Sequence, residues 1–569
     1  MISQHIGNSI LPPLPADFSN IVWRGRACSP NAPEPIPALR WSDYKAYERT
    51  GSRQHDKPRG EVCARLDRAA CAVIMGDDSQ LDELHDLIWA VCERSCWWIA
   101  AHEFTAPIDL GVAMVGQTFA FIEATLGGRL DPEVRTRMAD EVRRRVITPF
   151  LEPPIDYWWQ YITNNWNAVC HAGVGISALV FEKDPARLDT VFEKIARNIP
   201  RFMDGFADDG GCSEGPGYWR YGVTNFAILA HAVHCFTRGE TNLAVDPKWA
   251  RVAAYPANVT VAPGRDLTFS DTHDTVGYVP LCTANILRDL TGYADLFPLC
   301  ENRDGKPVVR NLYDLLMAPR QPPDFGSTPW KTDAFLPSLA IAKLHGAGGL
   351  VLGVKAGNNA EHHNHNDVGA FLLFQDGAQW FADLGAPVYS AKTFSPQRYE
   401  SLFTCSRGHC VPVVDGQYQK EGGEFCGTLS LDENGVKNGV KTAVVEFAKA
   451  YGVPALKSLT RSLTLSTIEP VLKLEDRFEF DGAGLPVKEV FITALPVERG
   501  ATANEVTLTH PAGRRGILRA LTPGVFGVGE LHEESKESPM GLLFRRITFT
   551  PANDKLESLS YVAFEFTVS

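Results

Sequence analysis

The chain has 569 residues, of which 44% are hydrophobic and 22% are charged, and its formal net charge is −13. This composition is typical of folded globular proteins, and the length predicts two or three domains. The acidic balance disfavours a general nucleic-acid binder, and no apolar run reaches the roughly 18 residues of a membrane span. An anionic ligand is not excluded, because a cleft can be locally basic.

The N-terminal segment and the cysteines predict a cytoplasmic protein. Residues 1–40 are rich in proline and are expected to run extended over the surface. They contain no basic region followed by an apolar core of signal-peptide length. The 13 cysteines are scattered and odd in number, which favours a reducing compartment. A periplasmic location is the alternative if a leader has been removed.

Residues 41–335 are predicted to form a helical domain. Apolar residues recur at three- and four-residue spacing from Leu81 and again over 110–126, and Asp109 is a predicted cap of that second helix. A third helix is predicted over 133–146. Its arginine run, 143–145, is interpreted as a solvated helix face, with a role in binding as the alternative.

Aromatic residues and asparagines are concentrated in residues 156–167. Flat aromatic rings can stack on sugar rings, and amides can bond to hydroxyls and carboxylates, so the segment suits a sugar cleft. The alternative is a packed helix start with asparagine caps.

A glycine-rich loop over 208–217 is followed by aromatic residues and a predicted helix over 223–235. A tyrosine held beside a basic residue such as Arg220 can have its phenol pKa lowered enough to exchange protons.

The region 318–336 has the composition of a linker, and residues 336–569 are predicted to form a β domain. Short alternating runs cover 351–354, 442–447, 456–465 and 471–480, with turn residues between them. This pattern is typical of a β-sandwich. Helices first and strands second indicate one α domain followed by one β domain.

The segment 361–367 contains three histidines, two asparagines and two carboxylates. His363 and His365 are two residues apart, so on an extended strand both imidazoles would point to the same face. A polar loop with solvated histidines is the alternative.

A metal site is predicted from residues that follow this segment. A hairpin is expected over 370–383 with an Asp-Gly turn, and a second Asp-Gly turn follows His409 at 415–416. His365, Asp383 and His409 can then converge from neighbouring strand ends. Two imidazoles and one carboxylate suit Zn²⁺, with a fourth position left for water or a further ligand. The alternative is that Asp383 caps a turn and His409 is a loop histidine.

Four motifs in this order resemble those of the heparinase II/III-like family of polysaccharide lyases, which includes oligoalginate lyases. They are Asn-Asn-Trp at 164–166, Asp-Gly-Gly at 209–211 with the stretch 214–222, the histidine segment at 363–367, and His409 with 414–417. The resemblance implies an incomplete (α/α) toroid at 41–335 and an antiparallel β-sandwich at 336–569, after the extended segment 1–40.

The resemblance also implies β-elimination at a uronic acid, which leaves an unsaturated uronate end. Asn165 would bond the uronate carboxylate, and His363 would be the active-site histidine. Tyr221 would protonate the leaving oxygen and, in a syn elimination, could also take the proton at C5; Tyr218 is the rival tyrosine. One structural Zn²⁺ would be bound by His365, Asp383 and His409. The implied substrate-binding residues are Asn164, Trp166, Glu214, Tyr218, Trp219 and Arg220.

The sequence departs from the family at Trp166, because many members carry a histidine there that serves as base for one uronate epimer. Tryptophan cannot exchange a proton. The departure puts anti elimination in doubt and favours a syn route that uses tyrosine alone, although His363 could still be the base. Cys410 stands where the family often has asparagine.

The expected partner is an anionic uronate oligosaccharide or polysaccharide, with no nucleic acid and no membrane; a homodimer is left open. Tyr221 and His363 are expected to face the same sugar from the two domains. One alternative is a glycoside hydrolase on an (α/α) scaffold, which would use paired carboxylates such as Asp209 and Glu214. The other is a non-catalytic protein for uronate-glycan binding or capsule assembly.

Overall fold

The computed structural model describes residues 1–15, 17–25, 34–272, 277–293, 296–321, 323–432, 438–553 and 556–569. Its N-terminal region is helical and its C-terminal region is rich in β-strands, which confirms the predicted order. Among the described residues, no helix combines the length and the apolarity needed to cross a membrane.

The chain divides into two compact units whose segments interleave in the sequence. The helical unit comprises Met1–Phe206, Tyr218–Ala253 and Val279–Ser327, and the β-rich unit comprises Ala207–Gly217, Ala254–Tyr278 and Thr328–Ser569. The contiguous domain boundaries predicted from the sequence, at 40/41 and 335/336, stay predictions.

The α-helices precede the long strands in the sequence. In chain order, α1–α14 of the described residues are Trp41–Tyr44, Ala46–Thr50, Asp56–Ile74, Leu81–Cys92, Leu110–Leu126, Pro132–Val142, Thr148–Leu151, Asn165–Phe181, Pro185–Asn198, Pro200–Asp204, Pro216–Phe236, Lys248–Val259, Leu281–Thr291 and Leu312–Leu316.

Helices α5 and α8 pack closely in the helical unit. A Cβ atom built on Gly173 of α8 would lie 2.5 Å from the Cα of Ala113, and one built on Gly116 of α5 would lie 2.6 Å from the Oγ of Ser177. The two glycines therefore let the helix backbones approach. Asp109 caps α5 by accepting a hydrogen bond from the backbone N–H of Val112, as predicted.

The arginine run follows α6 as a turn of π-helix, Arg143–Ile147. The side chains of Arg143 and Arg144 are 44% and 62% exposed, which confirms a solvated face for them. The prediction is wrong for Arg145, which is 10% exposed, because it pairs with Glu141 and lies over the ring of Trp97.

The strands β1–β23 of the described residues are, in chain order, Val22–Trp23, Thr260–Ala262, Arg265–Asp266, Asn302–Arg303, Lys306–Val309, Ala334–Leu336, Ile341–His345, Leu350–Lys355, Gly357–Asn359, Phe371–Gln375, Ala378–Phe381, Val413–Val414, Gly422–Asp432, Val440–Glu446, Leu456–Ser466, Val471–Phe480, Val487–Thr493, Val497–Arg499, Glu505–Thr509, Arg515–Ala520, Gly524–Glu530, Arg545–Pro551 and Leu559–Val568.

Three antiparallel sheets dominate the β-rich unit. Their strand orders are β11-β10-β8-β7-β6, β12-β17-β22-β21 and β18-β19-β20-β23-β16-β15-β14-β13-β9. One buried apolar cluster draws side chains from all three, such as Phe371, Phe491 and Phe566. This cluster is the core that holds the loops bearing the histidines.

The predicted hairpin is present as β10 and β11. Its turn residues, Asp376 and Gly377, have φ values of 50° and 79°. Two successive left-handed residues match the twist of the strands, which is why Asp-Gly suits this turn. The second predicted Asp-Gly turn is also present after β12, where Asp415 and Gly416 again have positive φ.

Candidate functional site

The paired asparagines lie at the start of α8 in the helical unit. Asn164 is the N-cap and accepts a hydrogen bond from the backbone N–H of Trp166 at 3.1 Å. Asn165 is only 3% exposed, and its Oδ1 has no hydrogen-bond partner among the described residues. A buried amide oxygen without a partner costs free energy, so Asn165 is suited to bind a ligand.

Tyr221 lies in the first turns of α11, next to this asparagine. A Cβ atom built on the following residue, Gly222, would lie 2.8 Å from the ring of Phe202 and 3.4 Å from the Cα of Asn165. Glycine therefore allows α11 to contact the first turn of α8. The two predicted catalytic residues of the helical unit come from neighbouring helix starts.

The phenol of Tyr221 does not have the lowered pKa that a basic neighbour could give to a tyrosine of this stretch. Burial, aided by the charges of Cys170 and Asp109, raises the pKa of this phenol well above its ordinary value, and Arg59 opposes this only in part. A raised pKa keeps the hydroxyl protonated at neutral pH, which suits a proton donor.

Exposed aromatic rings surround the start of α8. Trp158 lies 5.0 Å from Trp166 between ring centroids, and Phe104 stacks on Trp158 at 6.4 Å. Phe104 is 70% exposed and Tyr161 is 47% exposed. Partly exposed rings of this kind offer flat surfaces to a sugar. Asn164 caps α8 while these rings stay exposed, so the two interpretations of this segment, a helix cap and a sugar cleft, are compatible.

A cavity of about 1080 Å³ opens in the helical unit beside α5. Four arginines and two acidic residues contribute to its lining: Arg24, Arg59, Arg68, Arg310, Glu34 and Asp67. Arg24 and Arg310 share Glu301 as an ion-pair partner. With that carboxylate counted, the arginines still outnumber the acidic residues, which gives this part of an acidic chain a local preference for anions. Burial raises the pKa of Asp67 to about 7, which lessens the opposing charge.

One predicted substrate-binding residue, Trp219, lies in the core. Trp219 is 1% exposed and donates its ring N–H to the carbonyl of Val252 at 2.8 Å, so it is a core residue of the helical unit. This position does not favour contact with a substrate. Tyr218 and Arg220, on the same turn of α11, are partly exposed.

The histidine segment of the β-rich unit is a loop between β9 and β10, and not the strand end expected from the sequence. His363 has a φ of 56°, which no extended strand allows. Residues outside the loop donate hydrogen bonds to its backbone carbonyls. The backbone N–H of Asp271 donates to the carbonyl of His363 at 3.3 Å, and the guanidinium of Arg398 donates to the carbonyl of Asn364 at 3.0 and 3.1 Å.

Asp271 is the centre of this site. Its carboxylate lies 2.8 Å from Nδ1 of His363 and 3.0 Å from Nε2 of His365. It also accepts hydrogen bonds from the hydroxyl of Tyr389 at 3.0 Å and from the guanidinium of Arg398 at 2.9 Å. The side chain of Asp271 is fully buried. One carboxylate therefore orients both histidines that the sequence singled out.

Opposing effects act on the pKa of Asp271. Burial by itself would raise this pKa, but the hydrogen bonds from His363 and His365 and the charge of Arg398 hold it well below the ordinary value. The carboxylate is thus ionised and acts as a fixed acceptor. Because Nδ1 of His363 bonds this carboxylate, Nε2 lies on the opposite side of the ring. There it is 3.6 Å from Oε2 of Glu214. Glu214, a predicted substrate-binding residue, is 6% exposed.

The predicted metal ligands come together in the β-rich unit, with one addition. His365, Asp383, His409 and Asp367 each offer a ligand atom, and these atoms all lie within 4.8 Å of one another. All four side chains are buried. Asp367 was not among the predicted ligands, although it lies in the same seven-residue motif. It offers a fourth ligand atom, where the sequence prediction left the position to water or a further ligand.

The residues fit a metal ion on physical grounds. Nδ1 of His365, Nε2 of His409 and Oδ2 of Asp367 are buried without a hydrogen-bond partner among the described residues. Buried polar atoms without partners are rare and costly, and a bound cation would satisfy all three. Two imidazoles and two carboxylates are ligands of the types that Zn²⁺ binds, and their number equals the four ligands usual for structural zinc.

Hydrogen bonds from neighbouring residues orient the ligands. Asp271 bonds the Nε2 of His365, and Lys355 bonds the Oδ1 of Asp367 at 2.5 Å. Such outer partners fix the ring orientation of a ligand. Asp271 therefore touches both a predicted metal ligand and the predicted active-site histidine. Sequence reasoning missed it, because it lies some 90 residues before them and no spacing motif includes it.

Both the sequence and the fold are similar to those of known proteins. Residues 331–524 match the family described as Heparinase II/III-like, C-terminal. No curated protein matches the sequence.

Solved structures of polysaccharide lyases share the fold. A heparan sulfate lyase from Pedobacter heparinus aligns with a TM-score of 0.56 and 14% identity, over 91% of this chain and 77% of that one. A heparinase III structure aligns with a TM-score of 0.59 and 13% identity, over 90% and 76%. A chondroitin AC lyase from Streptomyces coelicolor A3, in complex with chondroitin sulphate, aligns with a TM-score of 0.51 and 12% identity, over 93% and 78%.

At these identities the alignments establish the fold alone. The family match covers the part of the chain that includes His363, His365, Asp383 and His409. The resemblance drawn from the sequence motifs is therefore confirmed over residues 331–524, which match the heparinase II/III-like C-terminal family, and the fold of the chain is similar to that of heparinase III.

Proposed function

We propose that this protein is a polysaccharide lyase that cleaves uronic-acid glycans by β-elimination. The proposed architecture is an incomplete (α/α) toroid followed by an antiparallel β-sandwich. The substrate class is an anionic oligosaccharide or polysaccharide with uronate units, such as alginate or a glycosaminoglycan. The cavity rich in arginines and the exposed aromatic rings of the helical unit support this class.

The chemistry requires three tasks. The proton at C5 of a uronate is only weakly acidic, so an enzyme must first neutralise the adjacent carboxylate. It must then remove the C5 proton and protonate the departing O4. A neutralised carboxylate can take up the negative charge that develops when the proton leaves, and preorganised donors make this uptake favourable.

Asn165 and Tyr221 fit two of these tasks. The Oδ1 of Asn165 is buried without a hydrogen-bond partner among the described residues, and the Nδ2 of the same amide is a donor of the kind that bonds a carboxylate. The phenol of Tyr221, with its raised pKa, retains the proton that it would give to O4. Both roles are carried over from the family resemblance, and the local structure is compatible with them.

His363 is the proposed active-site histidine of the β-rich unit. Its Nδ1 bonds the ionised carboxylate of Asp271, so the proton of a neutral ring lies on Nδ1 and Nε2 keeps its lone pair. A ring held in one tautomer can accept or donate a proton at a defined atom. His363 is therefore suited to bind the uronate or to exchange its proton.

The observation that carries the proposal is the engagement of Asp271. A glycoside hydrolase needs two carboxyl groups that work as acid and base or nucleophile. Asp209, one of the two carboxylates considered for that mechanism, accepts hydrogen bonds on both oxygens from the backbone N–H groups of Gly211 and Ser338. Asp271 instead holds two histidines, a tyrosine and an arginine. It positions imidazoles, which have a clear task in elimination and none in that hydrolytic mechanism.

A zinc ion at His365, Asp367, Asp383 and His409 is part of the proposal. With four protein ligands the site is closed, and a closed site is structural. It would hold the loop before β10 against the loops that bear Asp383 and His409. The protein residues alone carry out the proton transfers.

The test is an absorbance assay with fragments of alginate, glucuronan, heparan, chondroitin and hyaluronan. Elimination leaves an unsaturated uronate that absorbs in the ultraviolet, whereas hydrolysis and binding do not. We expect absorbance to rise with at least one fragment. Cleavage without absorbance would favour the hydrolase, and binding of uronate fragments without cleavage would favour the non-catalytic alternative.

A further inference from the structure

A histidine outside every sequence motif lies beside Trp166, the residue that follows Asn165 in α8. His102 belongs to the short 3-10 helix Ala100–Thr105, which precedes α5 in the helical unit. The centroid of its ring is 4.8 Å from that of Trp166. Trp166 occupies the position at which many family members carry a histidine. In this chain the imidazole of His102, from the segment before α5, lies next to that position.

The imidazole of His102 is oriented by a fixed carboxylate. Its Nδ1 lies 3.0 Å from Oδ2 of Asp109, a side chain with no exposed surface. Asp109 is itself held by the backbone N–H groups of Val112 and Ile99, each at 2.9 Å. Since the carboxylate can only accept, a neutral His102 carries its proton on Nδ1 and keeps a lone pair on Nε2.

This arrangement is that of a general base with its orienting group. The side chain of His102 is 14% exposed, so the ring is not sealed in the core. Asp109 lies close enough to Tyr221 for its charge to act on the phenol. His102, Trp166, Asn165 and Tyr221 therefore belong to one neighbourhood of the helical unit.

We propose, on the basis of the lyase function proposed above, that His102 is the catalytic base and that Asp109 is its positioning residue. Nε2 of His102 takes the proton from C5. The electron pair of that C–H bond forms the C4=C5 double bond while the C4–O4 bond breaks. The hydroxyl of Tyr221 gives its proton to O4. Proton exchange with water then restores the imidazole and the phenol.

This division of tasks replaces the route that uses tyrosine alone. A tyrosine that both takes and gives a proton must first lose its own, and the raised pKa of Tyr221 opposes that loss. A histidine base leaves the phenol in its protonated form throughout the approach to the transition state. The tryptophan at 166 then costs the protein no catalytic base, because the imidazole comes from His102 in the 3-10 helix before α5.

The test compares His102→Gln with the wild type on the fragment that the absorbance assay identifies. Loss of a general base lowers kcat by about 10²–10⁴-fold, and KM should change little. Free imidazole should restore part of the activity to His102→Ala, which a purely structural role would not allow. The control His532→Gln alters an exposed histidine and should leave activity unchanged. Activity of His102→Gln within about threefold of wild type would overturn the proposal.

A second variant tests the positioning role. Asp109→Asn keeps an oxygen to cap α5. Its amide nitrogen would replace Oδ2, donate to Nδ1 of His102 and so move the ring proton to Nε2, while the backbone N–H of Ile99 would lose its acceptor. We expect a loss comparable to that of His102→Gln, and little additional loss when both changes are combined. Full additivity of the two losses would contradict a shared role.

A labelling experiment separates this proposal from the lyase function. Diethyl pyrocarbonate should modify His102, as mapped by mass spectrometry, and a bound uronate fragment from the same panel should protect it. Absence of ultraviolet absorbance with every fragment would refute the lyase function. A fragment shown by calorimetry to saturate the protein, yet without protection of His102, would refute the role of His102 while leaving the lyase function standing.

Discussion

The two units place their candidate residues in different ways. In the helical unit, Asn165, Tyr221 and Asp109 lie at or near the starts of α8, α11 and α5, each supported by the local backbone. In the β-rich unit, His363, His365 and their partners lie in loops and are held by one another. The first group is arranged by secondary structure and the second by side-chain bonds.

The burial of charge separates the groups further. The β-rich unit encloses Asp271, Asp367, Asp383 and His409 with hardly any exposed surface. Buried charges are tolerated only when each is paired or bound to a metal. The removal of one partner therefore leaves the remaining buried charges uncompensated, which destabilises the fold. The helical group has one buried carboxylate, Asp109, and otherwise neutral side chains. We expect variants there to lose activity, and variants of the β-rich group to lose stability as well.

The largest effect is expected from Tyr221→Phe. The change removes only a hydroxyl, so the fold and the affinity for substrate should be nearly retained. Loss of the proton donor should lower kcat by about 10²–10⁴-fold in the absorbance assay.

Two tyrosine variants sharpen this test. Tyr561→Phe, on an exposed strand position, is the matched control and should keep wild-type activity. Tyr218→Phe tests the rival tyrosine and should cost less than Tyr221→Phe. If Tyr221→Phe retained near-normal turnover while Tyr218→Phe did not, the proton-donor role would pass to Tyr218.

The largest loss of stability is expected from Asp271→Asn. The amide cannot accept from two imidazoles, a hydroxyl and a guanidinium at once. Removal of one member of a buried charged group costs on the order of 3–5 kcal/mol of folding free energy. Thermal unfolding should show the loss as a lower midpoint.

Asp333→Asn is the matched control for that variant. Asp333 also bonds a histidine and a lysine, but its side chain is 37% exposed. Solvent screens such a pair, so its removal should cost no more than about 1 kcal/mol. If Asp271→Asn and Asp333→Asn lowered the folding free energy equally, burial would not be the reason that the Asp271 group stabilises the fold.

A smaller loss of stability, with a loss of metal, is expected from His365→Ala. The remaining ligands would lose their common partner, and each buried group left unsatisfied costs about 1–3 kcal/mol. Elemental analysis should show little zinc in the variant, and a chelator should lower the unfolding midpoint of the wild type towards that of the variant. His532→Ala, a change at an exposed histidine, should keep its zinc. Full zinc occupancy in His365→Ala would refute the ligand assignment.

Much of the local structure could be predicted from the sequence. Helix α5 and its cap Asp109, the strand β16 over 471–480 and the Asp-Gly hairpin were all expected, because spacing and turn chemistry act over a few residues. The motif residues Asn165, Tyr221 and His363 were identified in the same way, by their neighbours in the chain. The convergence of His365, Asp383 and His409 was inferred from predicted turns, and the structure places them together with Asp367.

What the sequence by itself determined is therefore the order of the elements, the family resemblance and the residues inside the motifs. Only the tertiary structure decided that Asp271 orients His363 and His365, that His102 lies against Trp166, and that burial raises the pKa of Tyr221. The physical reason is that hydrogen bonding and desolvation depend on which groups are close in space. Asp271 and His363 are more than 90 residues apart in the chain, and no local pattern records that they touch.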